Sequence, residues 1–355
     1  MNPEQHGGDI HRAARELGRP VEEILDFSAS INPLGMPPEV RRAAIAALSL
    51  AEHYPEPDAA SLTHALAAHL QLPPSHLLPG SGSTELLYLF PRVIRPRRVL
   101  LVTPAFGEYA RALRLAGTRI DTFPLAAEED FRLDPERLLA CVQPEHDLVL
   151  LANPGNPTGV VVAAATIEKI AVALRDRALL AVDEAFIDFC PEHSVISRVP
   201  AHANLYVFRS LTKFYAIPGL RAGYLAGPAA GMDRLAAAAG PWRLSTPALA
   251  AGIACLSAED YRRRSLSLIP QLREQLRREL RALDLPVYPA AANFLLIRAA
   301  CREQAAAWIA ALRASGILVR GCANFPPLDG RYFRVAVRSA AENSRLVTAL
   351  RHSVK

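Results

Sequence analysis

"HDLVLLANPGNPTGVVVAAATIEKIAVALRDRALLAVDEA", residues 146–185, decides the fold. Its two apolar runs, "HDLVLLANP" (146–154) and "ALLAVDEA" (178–185), show no alternation of polar and apolar positions. That pattern belongs to strands buried on both faces. Between them, "ATIEKIAVALRDR" repeats apolar residues at helical spacing. Strand, helix and strand in succession is a parallel crossover unit. "RRVLLVTP" (97–104) and "NLYVFRS" (204–210) extend the pattern on either side, with "GEYARALRLAG" as a further helix. The pattern predicts an α/β fold with a mainly parallel sheet covered by helices.

In such sheets ligands collect at the carboxyl ends of the strands. The polar residues obey that rule, because Asn153 and Asn156, Asp183, Ser210 and Lys213 all follow directly after an apolar run. Beyond residue 230 the texture changes to an Ala-rich region. A long Arg/Leu helix follows, with Ile269, Leu272, Leu276, Leu280 and Leu283 on its apolar face and a capping box from Ser257 to Asp260 at its start. Short strands come next: "ANFLLIRA" (292–299), "GILVRG" (316–321) and "YFRVAVRS" (332–339). The expected organisation is a large domain over 36–230 and a smaller α+β domain over 231–355. Residues 1–35, with a helix, the short strand "ILDFSA" and the turn "INPLG", join the small domain or cap the active-site side.

Of the 355 residues, 51% are hydrophobic and 21% charged, which is ordinary globular composition with ample core. The net charge of +5 is modest and spread along the chain. The densest basic cluster, Arg262–Arg264 with Arg273, Arg277 and Arg278, reads as the solvated face of the long helix, not as a nucleic-acid stripe. The 5 cysteines lie far apart with no C-x-x-C, which argues against a disulfide framework or a zinc site and for a reducing compartment. The N-terminus lacks an apolar signal region, and no uncharged apolar run reaches the ~18 residues of a membrane span. The expectation is a soluble cytoplasmic protein with no metal, nucleic-acid or membrane partner.

Among 40 basic residues only Lys169, Lys213 and Lys355 are lysine. Arginine stays protonated and delocalised, whereas an amine can lose its proton and attack a carbonyl. Lys213, in "SLTKFYAIPGLRAGY" (210–224), is therefore a candidate Schiff-base residue. A lysine in a loop is by itself commonly a solvated charge, and here its neighbours decide. Asp183 ends an apolar strand, where a carboxylate is costly unless a cation meets it. The pyridinium nitrogen of pyridoxal phosphate is such a partner, and pairing keeps that ring an electron sink. "ANPGNPTG" (152–159) holds Asn156 in a stiff turn at a strand end. In "PGSGSTELLY" (79–88), the backbone N–H groups of Gly82, Ser83 and Thr84 at a helix start make an anion site. The stretch lacks the endings of a nucleotide P-loop and of a dinucleotide fingerprint. Ser210 and Arg221 can close around the same phosphate.

N-P-G-N-P-T-G, D-E-A-F and S-L-T-K with G-L-R-A-G-Y resemble the fold-type-I pyridoxal-phosphate aminotransferase superfamily, in its histidinol-phosphate aminotransferase branch, over essentially the whole chain. The resemblance implies that Lys213 carries pyridoxal 5'-phosphate, that Asp183 pairs with the pyridine nitrogen and that Asn156 bonds the ring hydroxyl. Ser210, Arg221 and the Gly82–Thr84 backbone would hold the phosphate, with Phe106 on the ring face. Tyr54, in "HYPEPDAASL", would reach the neighbouring subunit's phosphate, so a homodimer is implied. One departure is Phe186, where the family has a tyrosine; it cannot bond the ring oxygen and leaves Asn156 as the main neutral donor.

"HGGDIHRAARELG", "LDFSASINPLGMP" and "GCANFPPLDGRYFRVAVRSAAEN" further resemble the cobalamin-pathway branch of this superfamily. That branch decarboxylates L-threonine O-3-phosphate to (R)-1-amino-2-propanol O-2-phosphate and CO2. By that resemblance His6, the Gly7 backbone, Asn32, Asn156, Arg320 and Arg334 surround a phosphorylated amino-acid substrate. Two arginines and a histidine suit a phosphate plus a carboxylate. Arg334 also matches the arginine that grips the α-carboxylate in aminotransferases, so the pattern leaves open which arginine meets which anion. Tyr109 and Tyr215 read as packing. The alternative function is an aminotransferase acting on histidinol phosphate or an aromatic amino acid, against which Phe186 and the N-terminal His-Gly-Gly speak. A non-catalytic aminotransferase-like module would be free to lose Lys213 or Asp183, yet both are present.

Overall fold

The chain's earlier apolar runs pair into one seven-stranded sheet in the computed structural model, which describes residues 6–354. Strands are numbered along the chain, and β1 (Leu25–Asp26) lies apart from this sheet. The large sheet comprises β2 (Leu77–Ser81), β3 (Arg98–Thr103), β4 (Arg119–Pro124) and β5 (Leu148–Ala152). It continues with β6 (Leu179–Asp183), β7 (Leu205–Ser210) and β8 (Ala222–Ala226), in the order β2-β8-β7-β6-β5-β3-β4. Only β8 runs against its neighbours.

That topology places the site. The chain leaves β3 for β4 on one side and returns to β5 on the other, and a ligand crevice opens where the strand order reverses. Thr103, Ala152, Asp183 and Ser210 all end on this edge. Because β8 is reversed, Arg221 just before its first residue arrives at the same edge.

The central strands are apolar on both faces because helices cover both. Leu180, Val182, Leu205 and Val207 meet helices Ala60–Leu70, Ala164–Ala173 and Thr246–Leu256 in one core. Ala181, Tyr206 and Phe208 meet helices Gly82–Ile94, Gly107–Leu115 and Ala229–Ala238 in another. Helix Thr246–Leu256 falls beyond the expected division at residue 230, yet it packs on helices Pro38–Ala46 and Ala60–Leu70 of the large unit. Its small residues permit that approach: a Cβ on Gly252 would stand 3.2 Å from Leu62.

The smaller unit carries β9 (Phe294–Arg298), β10 (Ile317–Leu318), β11 (Arg320–Gly321) and β12 (Tyr332–Ala336). β11, β12 and β9 form an antiparallel sheet, whereas β10 pairs in parallel with β1. The run 316–321, read from sequence as one strand, thus divides between two partners. The N-terminal chain enters that gap: Phe27 N donates to Leu318 O and Ala336 N donates to Phe27 O, both at 2.8 Å. The expected capping box is absent. Ser257 closes the preceding helix, its hydroxyl donating to Ala254 O at 3.1 Å, and helix Glu259–Arg281 starts without a side-chain cap. No helix among the described residues is long and apolar enough to cross a membrane.

One buried ionic cluster escaped the sequence reading. Arg209 on β7 reaches Glu184 at 3.1 Å and also pairs with Asp188, all three in the interior. Burial works against the guanidinium charge, but Asp188 and Glu184 outweigh it and hold Arg209 protonated. Arg209→Met leaves two buried carboxylates without their cation and should cost about 3–5 kcal/mol, read as a lowered urea midpoint.

Candidate active site

A cavity of about 200 Å³ opens at the carboxyl edge of the large sheet, between it and the smaller unit. Lys213 enters from helix Leu211–Phe214, which starts where β7 ends, and part of its side chain faces the cavity. Burial first, then the positive charges of Arg221 and Arg334, lower its pKa to about 8 against the pull of Asp183. An amine so depressed is appreciably unprotonated near neutral pH and can act as a nucleophile.

Asp183 is buried at 6% exposure. Tyr109 Oη donates to its Oδ2 at 2.5 Å and Ala185 N to its Oδ1 at 2.9 Å. Burial raises its pKa, opposed by those two bonds and by Lys213. Asn156 Oδ1 accepts from Arg334, which leaves the two Nδ2 hydrogens to donate elsewhere. Asn153 is different: its amide joins Val162 and the His193 carbonyl and serves only to hold the loop.

The anion cradle is built by close approach. Gly82 sits at φ +73°, and a Cβ there would lie 2.6 Å from Arg221 Nη2. A Cβ on Gly223 would lie 2.6 Å from Ser83 N. These glycines bring Arg221 against the start of helix Gly82–Ile94, where free N–H groups favour an anion. Ser83, Thr84, Ser210 and Arg221 line the cavity, and Thr212 joins them with its Oγ1 2.8 Å from Ser210 Oγ. The arrangement fits pyridoxal phosphate: a dianion cradle at one end, a buried carboxylate for a ring cation at the other, Phe106 as a flat wall, and a depressed lysine within the same space.

Facing this group are His6, Gly7, Ser28, Arg320 and Arg334. Arg334 is 6% exposed, donates to Ser28 O at 2.9 Å and lies 4.9 Å over Phe294. Its Nε is buried without a partner. Burial, reinforced by Arg320, draws its pKa down to about 10, a deficit that a bound anion would relieve. Arg320 donates to Asn324 Oδ1 at 2.9 Å and stands 4.9 Å over Phe325. Phe186 lines the cavity and packs edge-on against Phe294.

Two expected residues lie elsewhere. Asn32 does not face the substrate side. Its Nδ2 donates to Phe214 O and Ser265 Oγ, both at 2.9 Å, and its Oδ1 accepts from Leu34 N. The buried amide is fully used in holding the turn beneath Lys213. Tyr54 lies outside its own chain's cavity, 81% exposed and stacked on Trp242 at 4.7 Å. Tyr109, read as packing, bonds Asp183 directly; a buried phenol needs a partner, which is the signal that was available. Thr212 and Glu108 were not singled out at all.

Residues 22–350 match the model of the family described as aminotransferase class I and II. A threonine-phosphate decarboxylase of Salmonella typhimurium is 42% identical over 354 residues, covering 98% of this chain and 96% of that protein. An adenosylcobalamin biosynthesis bifunctional protein, CobDQ, of Leptospira interrogans is 30% identical over 98% of this chain and 41% of its own length. The solved histidinol-phosphate aminotransferase of Sinorhizobium meliloti, in complex with pyridoxal-5'-phosphate, superposes with a TM-score of 0.89 at 28% identity, covering 100% of this chain and 97% of that one.

Lys213 titrates at about 8 in the folded chain against 10.5 when free, so the folded state sheds its proton first. Its charge then costs stability below about pH 8, and the cost fades as pH rises toward 10.5. Relative to Lys213→Met, cofactor-free wild type should gain about 2–3 kcal/mol between pH 7 and pH 10.5, measured by denaturant unfolding.

Proposed function

This chain belongs to the aminotransferase class I and II family, and we propose that it decarboxylates L-threonine O-3-phosphate to (R)-1-amino-2-propanol O-2-phosphate in cobalamin biosynthesis, with pyridoxal 5'-phosphate held at Lys213. The observation that carries this reading is the basic wall of His6, Arg320 and Arg334 converging on the cavity in front of Lys213. A substrate with one anion does not need three cationic groups, whereas phosphothreonine brings a carboxylate and a phosphate. Near-full-length likeness to the Salmonella decarboxylase supports the reaction.

When bound, pyridoxal phosphate supplies an electron sink for the pair left at the substrate's Cα. Asp183 would hold the proton on the cofactor's ring nitrogen, and Asn156 would offer its Nδ2 to the ring oxygen, which Phe186 cannot bond. Lys213 would hold the cofactor and, facing the same cavity, would stand beside the substrate's Cα. The bond from Cα to the carboxylate breaks, its electron pair stays at Cα, the carbon leaves as CO2, and Lys213 Nζ delivers a proton to Cα. CO2 is neutral, so a tight ion pair to the carboxylate would oppose its departure. Arg334, with both terminal nitrogens already donating to Asn156 and Ser28 O, joins Arg320 and His6 chiefly in meeting the phosphate. The carboxylate would thereby be left without a tight ion pair.

The working unit is a homodimer. Tyr54 and Trp242, stacked on each other, and Ile45, Leu48 and Leu50 are exposed large apolar side chains of the kind that a second copy would cover. By the family resemblance, exposed Tyr54 would reach the phosphate cradle of the second copy.

Incubation with phosphothreonine alone should release CO2 in step with aminopropanol phosphate, by mass spectrometry, and adding 2-oxoglutarate should change nothing. A keto-acid requirement would favour the histidinol-phosphate or aromatic aminotransferase reading. Arg334→Ala should raise KM for phosphothreonine roughly tenfold to a hundredfold, the loss of one charge-assisted hydrogen-bond set. The yellow colour of the bound cofactor should persist; colourless protein with unchanged substrate affinity would contradict this placement of Arg334.

A further inference from the structure

The turn at residues 6–8 crosses the cavity and is held from both sides. On one side it lies against Ser28: Gly8 N donates to Ser28 Oγ at 2.9 Å, and a Cβ on Gly7 would stand 2.2 Å from Ser28 O. That same carbonyl accepts from Arg334. On the other side His6 Nε2 donates to Glu108 Oε1 at 3.1 Å, and the imidazole lies 5.7 Å from the Phe106 ring.

Glu108 is unusual for a carboxylate in the first turn of a helix, where solvent is normally at hand. It is 5% exposed. Tyr88 donates to its Oε2, and Arg111 comes to 3.6 Å of the same oxygen. Tyr88 belongs to helix Gly82–Ile94, whose start forms the anion cradle. Glu108 therefore ties together the cradle helix, the loop carrying Phe106 and the N-terminal turn. A buried carboxylate persists only when donors surround it, and His6 completes the set. With Nε2–H facing Glu108, Nδ1 is the ring nitrogen left for the cavity, where the imidazolium form donates to an anion.

Position within the cavity separates His6 from the arginine beside it. Arg334 is buried and bonded to Asn156 at the floor, whereas His6 has 47% of its side chain exposed at the rim. A substrate whose amine enters at Lys213 carries the anion on its far end between these two, where the buried guanidinium and the rim imidazole can both meet it. We propose that Glu108 is a positioning residue that latches residues 6–8 across the cavity and aims His6 at the substrate's phosphate. Preference for a phosphorylated amino acid then depends on a carboxylate that never touches the substrate. The identity of that substrate rests on the decarboxylase reading; the latch between Glu108 and His6 does not.

The test uses the full chain loaded with cofactor. Glu108→Ala should raise KM for phosphothreonine about tenfold to a hundredfold, with kcat changed far less and the inhibition constant of unphosphorylated threonine unmoved. His6→Ala should do the same, and the double variant should be no worse than either single one, because both remove one interaction. Equal weakening of threonine and phosphothreonine, or effects that multiply in the double variant, would reduce Glu108 to a structural role and overturn the proposal. Should Glu108→Ala fail to fold, Glu108→Gln keeps the shape and an acceptor for Nε2–H but lacks the charge. It should fall between wild type and His6→Ala, and a value equal to wild type for both variants counts against the latch. Nitrogen-15 spectra of the histidine rings read the latch without any substrate. The His6 ring signal should shift in Glu108→Ala, and an unshifted signal overturns the latch even if phosphothreonine is turned over. A shifted signal in a protein that neither binds nor turns over phosphothreonine would keep the latch and sink both the decarboxylase reading and the phosphate preference assigned to His6.

Discussion

Asp183 stands at the carboxyl end of β6 with its carboxylate buried between the Tyr109 hydroxyl and the Ala185 amide, and a charge in that position is tolerable only opposite a cation. Lys213 lies close enough for the two charges to act on each other, yet burial and two arginines keep the amine from simply neutralising the acid. A lysine locked in a salt bridge would be a poor nucleophile; one depressed to about 8 is available. Asn156 and the anion cradle then fix where a flat cationic ring with a phosphate arm can lie between them.

The large sheet delivers these groups without long loops. β3, β5, β6 and β7 run in parallel, so Phe106, Asn156, Asp183 and Lys213 follow their carboxyl ends onto one edge. The reversal of β8 adds Arg221 from the opposite chain direction. The smaller unit contributes the substrate's side through β11 and β12, whose pairing sets Arg320 opposite Arg334 in register. Like charges are brought together there with one guanidinium deeply buried, an arrangement that favours an anionic ligand.

Much of this was legible in the sequence because it depends on period and order. Unbroken apolar runs alternating with helical spacing specify a parallel sheet, and polar residues directly after those runs specify its ligand edge. Contacts that join distant segments were not legible. Asn32 is a good turn residue whether its amide faces a ligand or, as here, Phe214 O and Ser265 Oγ. Tyr109 and Glu108 lie on a helix whose spacing reads as ordinary packing, and only the fold shows that one meets Asp183 and the other meets His6. The run 316–321 has the composition of one strand; that it serves two sheets follows from where the N-terminal chain enters, which local sequence does not encode. The division near residue 230 marks a change in composition, but small side chains in helix Thr246–Leu256 allow close packing on the large unit.

Chemical reduction tests most directly whether Lys213 carries the cofactor. Borohydride treatment of the loaded protein, followed by proteolysis and mass spectrometry, should leave the pyridoxyl group on the peptide containing Lys213. A label on the peptide of Lys169, or on none, would contradict the site as described.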